Sequence, residues 1–534
     1  MTPSQLPPLP QETLSTTAAF GRWMALTAAL LGWMFDGAEM GLFSMVGRAA
    51  IQDLLNIPGT PTKAQEGEIG FYFGIVMALF LVGAATGGVL FGWLGDRVGR
   101  VRAMSLSVLT YALFTGACGL VNSPIHIAAL RFIAALGMGG EWSLGVALVM
   151  EVWPNRSRGL MAGLIGASAN VGYFLVGIVG LGLAAILSRL ESGLLATGLR
   201  EDWVSALVAH KGWRVMMLLG STPALLTFFF RLFVPESQKW ERERGKGATS
   251  HWATRDLLGV LVGAVGPGLI VFVWAFPFPK DWSGALVGTV RAIGSLAGIA
   301  IATFGYLWPV QRYVSRYMAQ AGPGSHETRM VIRRMLLAAG LSGIALLGTW
   351  GSTQWAPALA AKLTQGTGLL AREYTQIWLA VGACVGTMMA ALMGDWLGRR
   401  ITYFVLCVAS LASALWLFVM NKEYGTPFLV SSFVAGAFTA AFYGWLPLYL
   451  PELFPTNVRA AGQGFGYNFG RILAAIGTLQ AGVLTGMFPD DRVILGITVS
   501  GGYPLACSAM SLIYIVGMAF IWLAPETHGK PLPE

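Results

Sequence analysis

The chain has 534 residues, of which 55% are hydrophobic and only 11% charged, with 70 glycines and a mean hydropathy of +0.63. Apolar runs this long and numerous exclude a soluble globular protein and imply a polytopic membrane protein. The net charge of +9 resides in short loops between apolar runs, where Lys and Arg set topology, so it is not the basic patch of a nucleic-acid-binding protein.

A helix needs roughly 20 apolar residues to cross the hydrocarbon layer, and helices are required because lipid satisfies no backbone group. Residues 1–19 hold four prolines and no Lys or Arg, and read as a disordered cytoplasmic tail rather than a signal peptide. Spans are predicted at 20–47, 69–94, 103–121, 126–151, 159–187 and 213–234. Two further runs follow at 257–276 and 284–308, then 332–355, 374–393, 401–420, 427–450, 460–486 and 499–524, fourteen in all. Loops 95–102, 231–256 and 309–334 are rich in arginine whereas 277–284 has one lysine, which places both termini in the cytoplasm. Loop 188–214, on the opposite side, has four basic residues partly balanced by Glu191, Glu201 and Asp202.

The first span contains "GWMFDGAEMGLFS", in which Asp36 and Glu39 are three residues apart and share a helix face. An ionisable group near the bilayer centre costs on the order of 3 kcal/mol on insertion scales and is seldom kept without function. Two carboxyls in a dry site oppose each other's ionisation, which suits proton binding; the alternative is a structural pair neutralised by Arg131 or by a neighbouring helix. Glu141, in "GMGGEW", is a third proton-carrier candidate or a carboxyl hydrogen-bonded in a helix contact, with Gly137, Gly139 and Gly140 admitting a neighbouring helix. Arg131 either reaches the substrate or snorkels to the surface from the start of its span.

The chain repeats itself. "GWLGDRVGR" (92–100) returns as "MGDWLGRR" (393–400), so Asp96 and Arg100 correspond to Asp395 and Arg399 at an offset of 299. "EVWPNRSRG" (151–159) returns as "ELFPTNVRA" (452–460) at an offset of 301, aligning Glu151 and Arg158 with Glu452 and Arg459. Two parallel six-helix halves follow, with the runs at 257–276 and 284–308 inserted between them. Asp96, Arg97, Arg100, Glu151, Arg158, Asp395, Arg399, Arg400, Glu452 and Arg459 lie at cytoplasmic helix ends, where they are expected to latch one face of the closed state. Arg471 is twelve residues past Arg459, about 18 Å along a helix and therefore near mid-membrane. The repeat aligns it with Asn170. A guanidinium that stays charged suits a carboxylate substrate, so Arg471 is the expected anion anchor, with a salt bridge to Asp36 or Glu39 as the other reading. Asn468, Tyr467, Tyr173, Tyr443 and Trp445 complete the expected substrate site.

"GWLGDRVGR" and "RFIAALGMGGEW" (131–142) resemble signature motifs of the major facilitator superfamily, and the likeness extends over nearly the whole chain. "PESQKW" and the terminal "PETHGKPLPE" resemble the corresponding ends of sugar porters. "GMGGEW" followed by Glu151 and "WPNRSRG" resembles the metabolite:proton and sialate:proton symporter branches, the latter including members with fourteen spans. Residues 159–187 contain no proline and so depart from the Gly-Pro motif of drug:proton antiporters.

The expected layout is an all-α major facilitator fold: a tail (1–19), a six-helix bundle (20–234), linkers with two extra helices (235–331), a second bundle (332–524) and a cytoplasmic tail (525–534). The resemblance implies a proton-coupled symporter of the bacterial inner membrane, acting as a monomer and importing a small organic anion such as a carboxylate or sialic-acid-like sugar acid. Uptake of a neutral sugar or zwitterion, or a nontransporting sensor, are the alternatives. No cofactor or metal is implied. The five histidines lie at span ends or in loops, the four cysteines are isolated within spans, and no nucleophile–base signature points to an enzyme.

Overall fold

The computed structural model describes residues 16–533 apart from 60, 154–156, 246–252, 277, 280, 322–324, 366, 368, 488–489 and 495. The first half contains α1 (Thr16–Leu54), α2 (Lys63–Val98), α3 (Arg100–Cys118), α4 (Pro124–Val152), α5 (Arg158–Ala196), α6 (Glu201–Leu219) and α7 (Leu226–Phe233). A short α8 (Gln238–Gly245) leads to the inserted pair α9 (Leu257–Ala275) and α10 (Gly284–Ala321). The second half contains α11 (Ser325–Gly351), α12 (Ala356–Leu363), α13 (Ala371–Leu397), α14 (Arg399–Leu415), α15 (Thr426–Thr439), α16 (Phe442–Tyr449), α17 (Arg459–Met487), α18 (Tyr503–Ser511) and α19 (Ile513–Phe520).

Eleven stretches among the described residues are long and apolar enough to cross a membrane by length and composition. The other three predicted spans fall on α1, on α17 and on the α6–α7 segment. α1 carries Asp36 and Glu39, which lower its hydropathy without unfolding it. The span predicted at 213–234 is interrupted by a 3-10 turn, Thr222–Leu225, with Pro223 near its start. α6 itself breaks where His210 and Lys211 adopt positive φ angles of 46° and 66°. The tail predicted over 1–19 lies outside the described residues up to 15, and α1 begins at Thr16. An all-α chain is expected, yet Arg492–Ile494 and Ile497–Val499 pair as an antiparallel hairpin before the last helices, displacing the predicted helix start from 499 to Tyr503.

The repeated motifs produce repeated turns. Gly99 joins α2 to α3 at φ +117°, and Gly398 joins α13 to α14 at φ +85°, a region open to glycine because it lacks Cβ. α2 packs on α4, α3 on α4 and α1 on α5; in the second half α11 packs on α17 and α13 on α15. The halves meet along α2 with α17 and α5 with α13.

The inserted helices lie on the flank of α2. Val271 of α9 packs with Ala78 and Val82, and the hydroxyls of Tyr306 and Thr86 share a 2.7 Å hydrogen bond. Asp256 binds Arg316 across the base of the pair, while the Trp274 indole donates to Ser295 Oγ at 3.0 Å nearer the turn. Leu261, Phe272, Leu296 and Phe304 stay exposed on the outer faces, an arrangement suited to lipid.

Candidate functional site

A cavity with about 720 Å³ of open space, its mouth included, lies between the halves. Trp33 and Met40 of α1 and Asn170 and Tyr173 of α5 line one wall; Trp350, Gln354, Tyr443 and Tyr467 come from the other half. It has the size and mixed apolar-polar lining of a small-molecule site.

Trp33, Asp36 and Met40 recur at helical spacing, so Asp36 shares the face of α1 that borders the cavity. Its carboxyl is in hydrogen-bonding contact with that of Glu141 on α4. Neither finds a donor among the described residues. Two carboxyls bond only through a proton, so the contact is made when one of them is protonated. A single residue makes room for this contact: a Cβ on Gly32 would fall 1.9 Å from a Glu141 carboxyl oxygen.

Glu39 has a different fate. It pairs with Arg131, fully buried on α4, and accepts a hydrogen bond from Thr115 Oγ1 at 2.7 Å. The Arg131 guanidinium also lies 4.4 Å from the Phe80 ring centroid and 5.0 Å from that of Phe43. It therefore does not snorkel, and it is not among the cavity-lining residues.

Arg471 is 2% exposed, and its Nη1 has no partner among the described residues. Its guanidinium carbon lies 5.2 Å from the centroid of Tyr467, a residue of the cavity wall, and it is within electrostatic reach of Asp36. Tyr467 stacks on Trp142 at 3.8 Å and meets Trp33 edge-on at 6.4 Å, joining the halves through aromatic contacts. Asn468, on the same helix, instead bonds the carbonyls of Gly139 and Gly464 at 2.9 and 3.1 Å. Trp445 donates its indole N–H to the Arg399 carbonyl at 3.0 Å, away from the cavity lining.

The repeated charged motifs gather at one end of the bundle. In the first half Arg100 binds Asp96 and, at 3.4 Å, Glu151. In the second, Arg399 binds Asp395 at 3.0 Å and Glu452 at 2.7 Å. Contacts of these charged residues that cross between halves include Arg459 to Glu151 at 3.1 Å, Arg100 to the Thr456 carbonyl at 3.1 Å, and the Ala461 amide to Asp96 at 2.9 Å. The last places a carboxylate at the first turn of α17, favourable for the helix dipole. Arg158 lies near Glu452 and Asp395 but leaves its Nε unpartnered among the described residues. Arg97 binds Thr254 Oγ1 at 2.9 Å, tying the inserted pair to α2, and Arg400 donates to the Ala524 carbonyl at 2.6 Å.

Each network has two further members. Glu236 accepts from the Arg100 amide at 2.8 Å while Ser237 donates to Glu151 at 2.5 Å. Glu526 accepts from the Arg399 amide at 3.0 Å while Thr527 donates to Glu452 at 2.5 Å. Pro-Glu-Ser at 235–237 and Pro-Glu-Thr at 525–527, each following its half, are the signal for these four residues. The two glutamates diverge. Burial pushes the Glu236 carboxyl above its ordinary value despite the Ser237 amide and the nearby Arg100. Burial also acts on Glu526, but the amides of Arg400, Arg399, His528 and Thr527 outweigh it and hold the carboxyl below its ordinary value.

At the other end of the bundle, Arg372 donates to the Ser44 carbonyl, and Gln354 and Gln376 bind the hydroxyl and carbonyl of Tyr173. The halves thus touch on both sides of the cavity. Gln354, Gln376, Arg372 and Trp350 escape a reading of the sequence because ordinary polar and aromatic residues at span ends carry no motif.

The model of the sugar (and other) transporter family matches residues 24–259 and 364–529. A cis,cis-muconate transport protein of Acinetobacter baylyi is 25% identical over 92% of this chain and 94% of its own length. The sialic acid transporter NanX of Escherichia coli is 21% identical, covering 95% and 94%. The solved proton:xylose symporter XylE superposes with a TM-score of 0.64 at 18% identity, covering 96% of this chain and 98% of its own. With its fold, its repeated motif networks and a family match along most of its length, the chain belongs to the sugar (and other) transporters of the major facilitator superfamily.

Proposed function

We propose that this transporter is a proton-coupled symporter that brings a small organic anion, a carboxylate or sialic-acid-like sugar acid, into the cytoplasm by alternating access. The observation that carries this reading is Arg471, a buried guanidinium beside the cavity wall whose Nη1 has no partner among the described residues and which lies within reach of the Asp36–Glu141 pair. A buried cation needs a counter-charge. When Asp36 and Glu141 are both ionised, Asp36 supplies it; when the pair holds a proton, Arg471 is released to the substrate's carboxylate. That exchange of partners couples the two fluxes. The motif-end contacts, led by Glu151–Arg459, serve as the cytoplasmic latch.

Relatives named for muconate and sialic acid support an organic acid as cargo. The similarity to a xylose symporter keeps neutral-sugar uptake as the second reading. Radiolabelled uptake by cells expressing wild type and R471Q separates them. Loss of acid uptake in R471Q is expected, whereas undiminished uptake of the preferred solute would remove Arg471 from the site.

A further inference from the structure

Two tryptophans line the cavity, and their indole N–H groups are placed differently. The Trp350 indole lies within reach of the Tyr443 hydroxyl. Trp33 is 2% exposed, and its Nε1 has no partner among the described residues. A buried indole N–H ordinarily finds an acceptor. The nearest carboxyl along α1, Asp36, is in contact with Glu141 instead.

A second unpaired donor stands nearby. Trp33 and Arg471 flank the same ring: Trp33 lies 6.4 Å from Tyr467 at an interplanar angle of 70°, and the Arg471 guanidinium carbon lies 5.2 Å from its centroid. The Trp142 indole, stacked on Tyr467, is also unpartnered among the described residues, but Trp142 does not line the cavity; Trp33 on the cavity wall and Arg471 beside it suit a ligand group that is all acceptor. A carboxylate has two such oxygens and no hydrogen; a carboxamide turns an N–H toward one of the donors.

We propose that Trp33 Nε1 is the second hydrogen-bond donor to the substrate's carboxylate, standing beside Arg471 and setting the preference for a carboxylate over its neutral isostere. This rests on the organic-anion reading above. Trp33 is then a specificity-determining residue: Arg471 supplies the charge, and the indole fixes which oxygen geometry is accepted.

The test uses the purified full-length chain in lipid nanodiscs, with binding of benzoate, cis,cis-muconate and N-acetylneuraminate compared with benzamide and muconic diamide. W33F keeps a ring in place and removes the N–H. It is expected to weaken carboxylate binding about tenfold, the loss of one hydrogen bond to a charged group, while amide binding changes less than about twofold. W350F, which removes an N–H within reach of the Tyr443 hydroxyl, is expected to keep the carboxylate-to-amide ratio of wild type. Equal losses for acid and amide in W33F would mean a packing role and overturn the proposal. An unchanged ratio in W33F would overturn it as well. If W33F does not fold, W33Y is read on the same ratio, because its hydroxyl does not occupy the Nε1 position. A wild type with no preference for any acid over its amide would defeat the organic-anion reading itself, an outcome distinct from retained preference in the Trp33 variants.

Discussion

Asp36 meets Glu141 carboxyl to carboxyl, while Glu39, three residues further along the same helix, is neutralised by Arg131. Nearly identical acids thus occupy opposite electrostatic situations: one pair requires a proton to bond, and the other bonds as an ion pair without one. D36N is expected to reduce gradient-driven uptake at least about tenfold while leaving substrate exchange across a membrane without a gradient largely intact. E39Q is expected to damage the fold instead, because it leaves Arg131 buried without its counter-charge at a cost of about 3–5 kcal/mol. Paired uptake and exchange assays in proteoliposomes, with thermal unfolding of each variant, check both; gradient-driven uptake by D36N at the wild-type rate would remove Asp36 from proton coupling.

Gly32 controls the acid pair by leaving space. G32A is expected to push the Glu141 side chain away, because the added methyl would meet its carboxyl oxygen at 1.9 Å. The change touches no ionisable group, yet it is expected to shift the pH dependence of uptake in the same direction as E141Q. A pH profile of G32A that superimposes on wild type would show that the close approach has no bearing on coupling.

The latch is asymmetric. Glu151 joins Arg459 across the halves, whereas Arg158, the counterpart of Arg459 in the repeat, is buried and its Nε has no partner among the described residues. E151Q is expected to open the motif end, raising the maleimide labelling rate of a cysteine placed at Ser143 several-fold in a background lacking the four native cysteines. R158Q should raise it far less. Equal acceleration by the two variants would contradict the asymmetry.

The two terminal glutamates should answer to pH in opposite ways. Glu526 is held below its ordinary value, so its ionised form stabilises the fold above the unfolded-state value of about 4.3, and that contribution disappears as pH falls through the folded value. E526Q should therefore melt below wild type at pH 7, with the gap closing under acid. Glu236 is held above its ordinary value, so the folded state favours its protonated form and loses that advantage as pH rises through the folded value. E236Q should cost less at pH 7 than E526Q. Melting curves between pH 4 and pH 8 decide it, and parallel curves for the two variants would refute the assignment.

Much of this architecture is written locally in the sequence. Long apolar runs give the helices, and the recurrence of Asp96 and Arg100 as Asp395 and Arg399 gives the duplicated network, because each pair is four residues apart across the same glycine turn. Partner choice is not local. Spacing places Asp36 and Glu39 on one face, but Arg131 binds Glu39 because of where α4 crosses α1. The same limit hides the role of Trp445, which serves the Arg399 carbonyl, and the break at His210 to Gly212, where no proline marks the interruption.

α17 begins at the latch, where Arg459 grips Glu151 and the Ala461 amide meets Asp96, and twelve residues later it presents Arg471. A helix keeps its length under load, so these points move as one shaft. In the proposed mechanism the latch and the anion anchor are then the same part, and opening the latch carries Arg471 relative to Asp36. On that proposal a substrate seated on Arg471 while the latch is closed does not find the identical seat once it is open, which makes release a geometric by-product of unlocking.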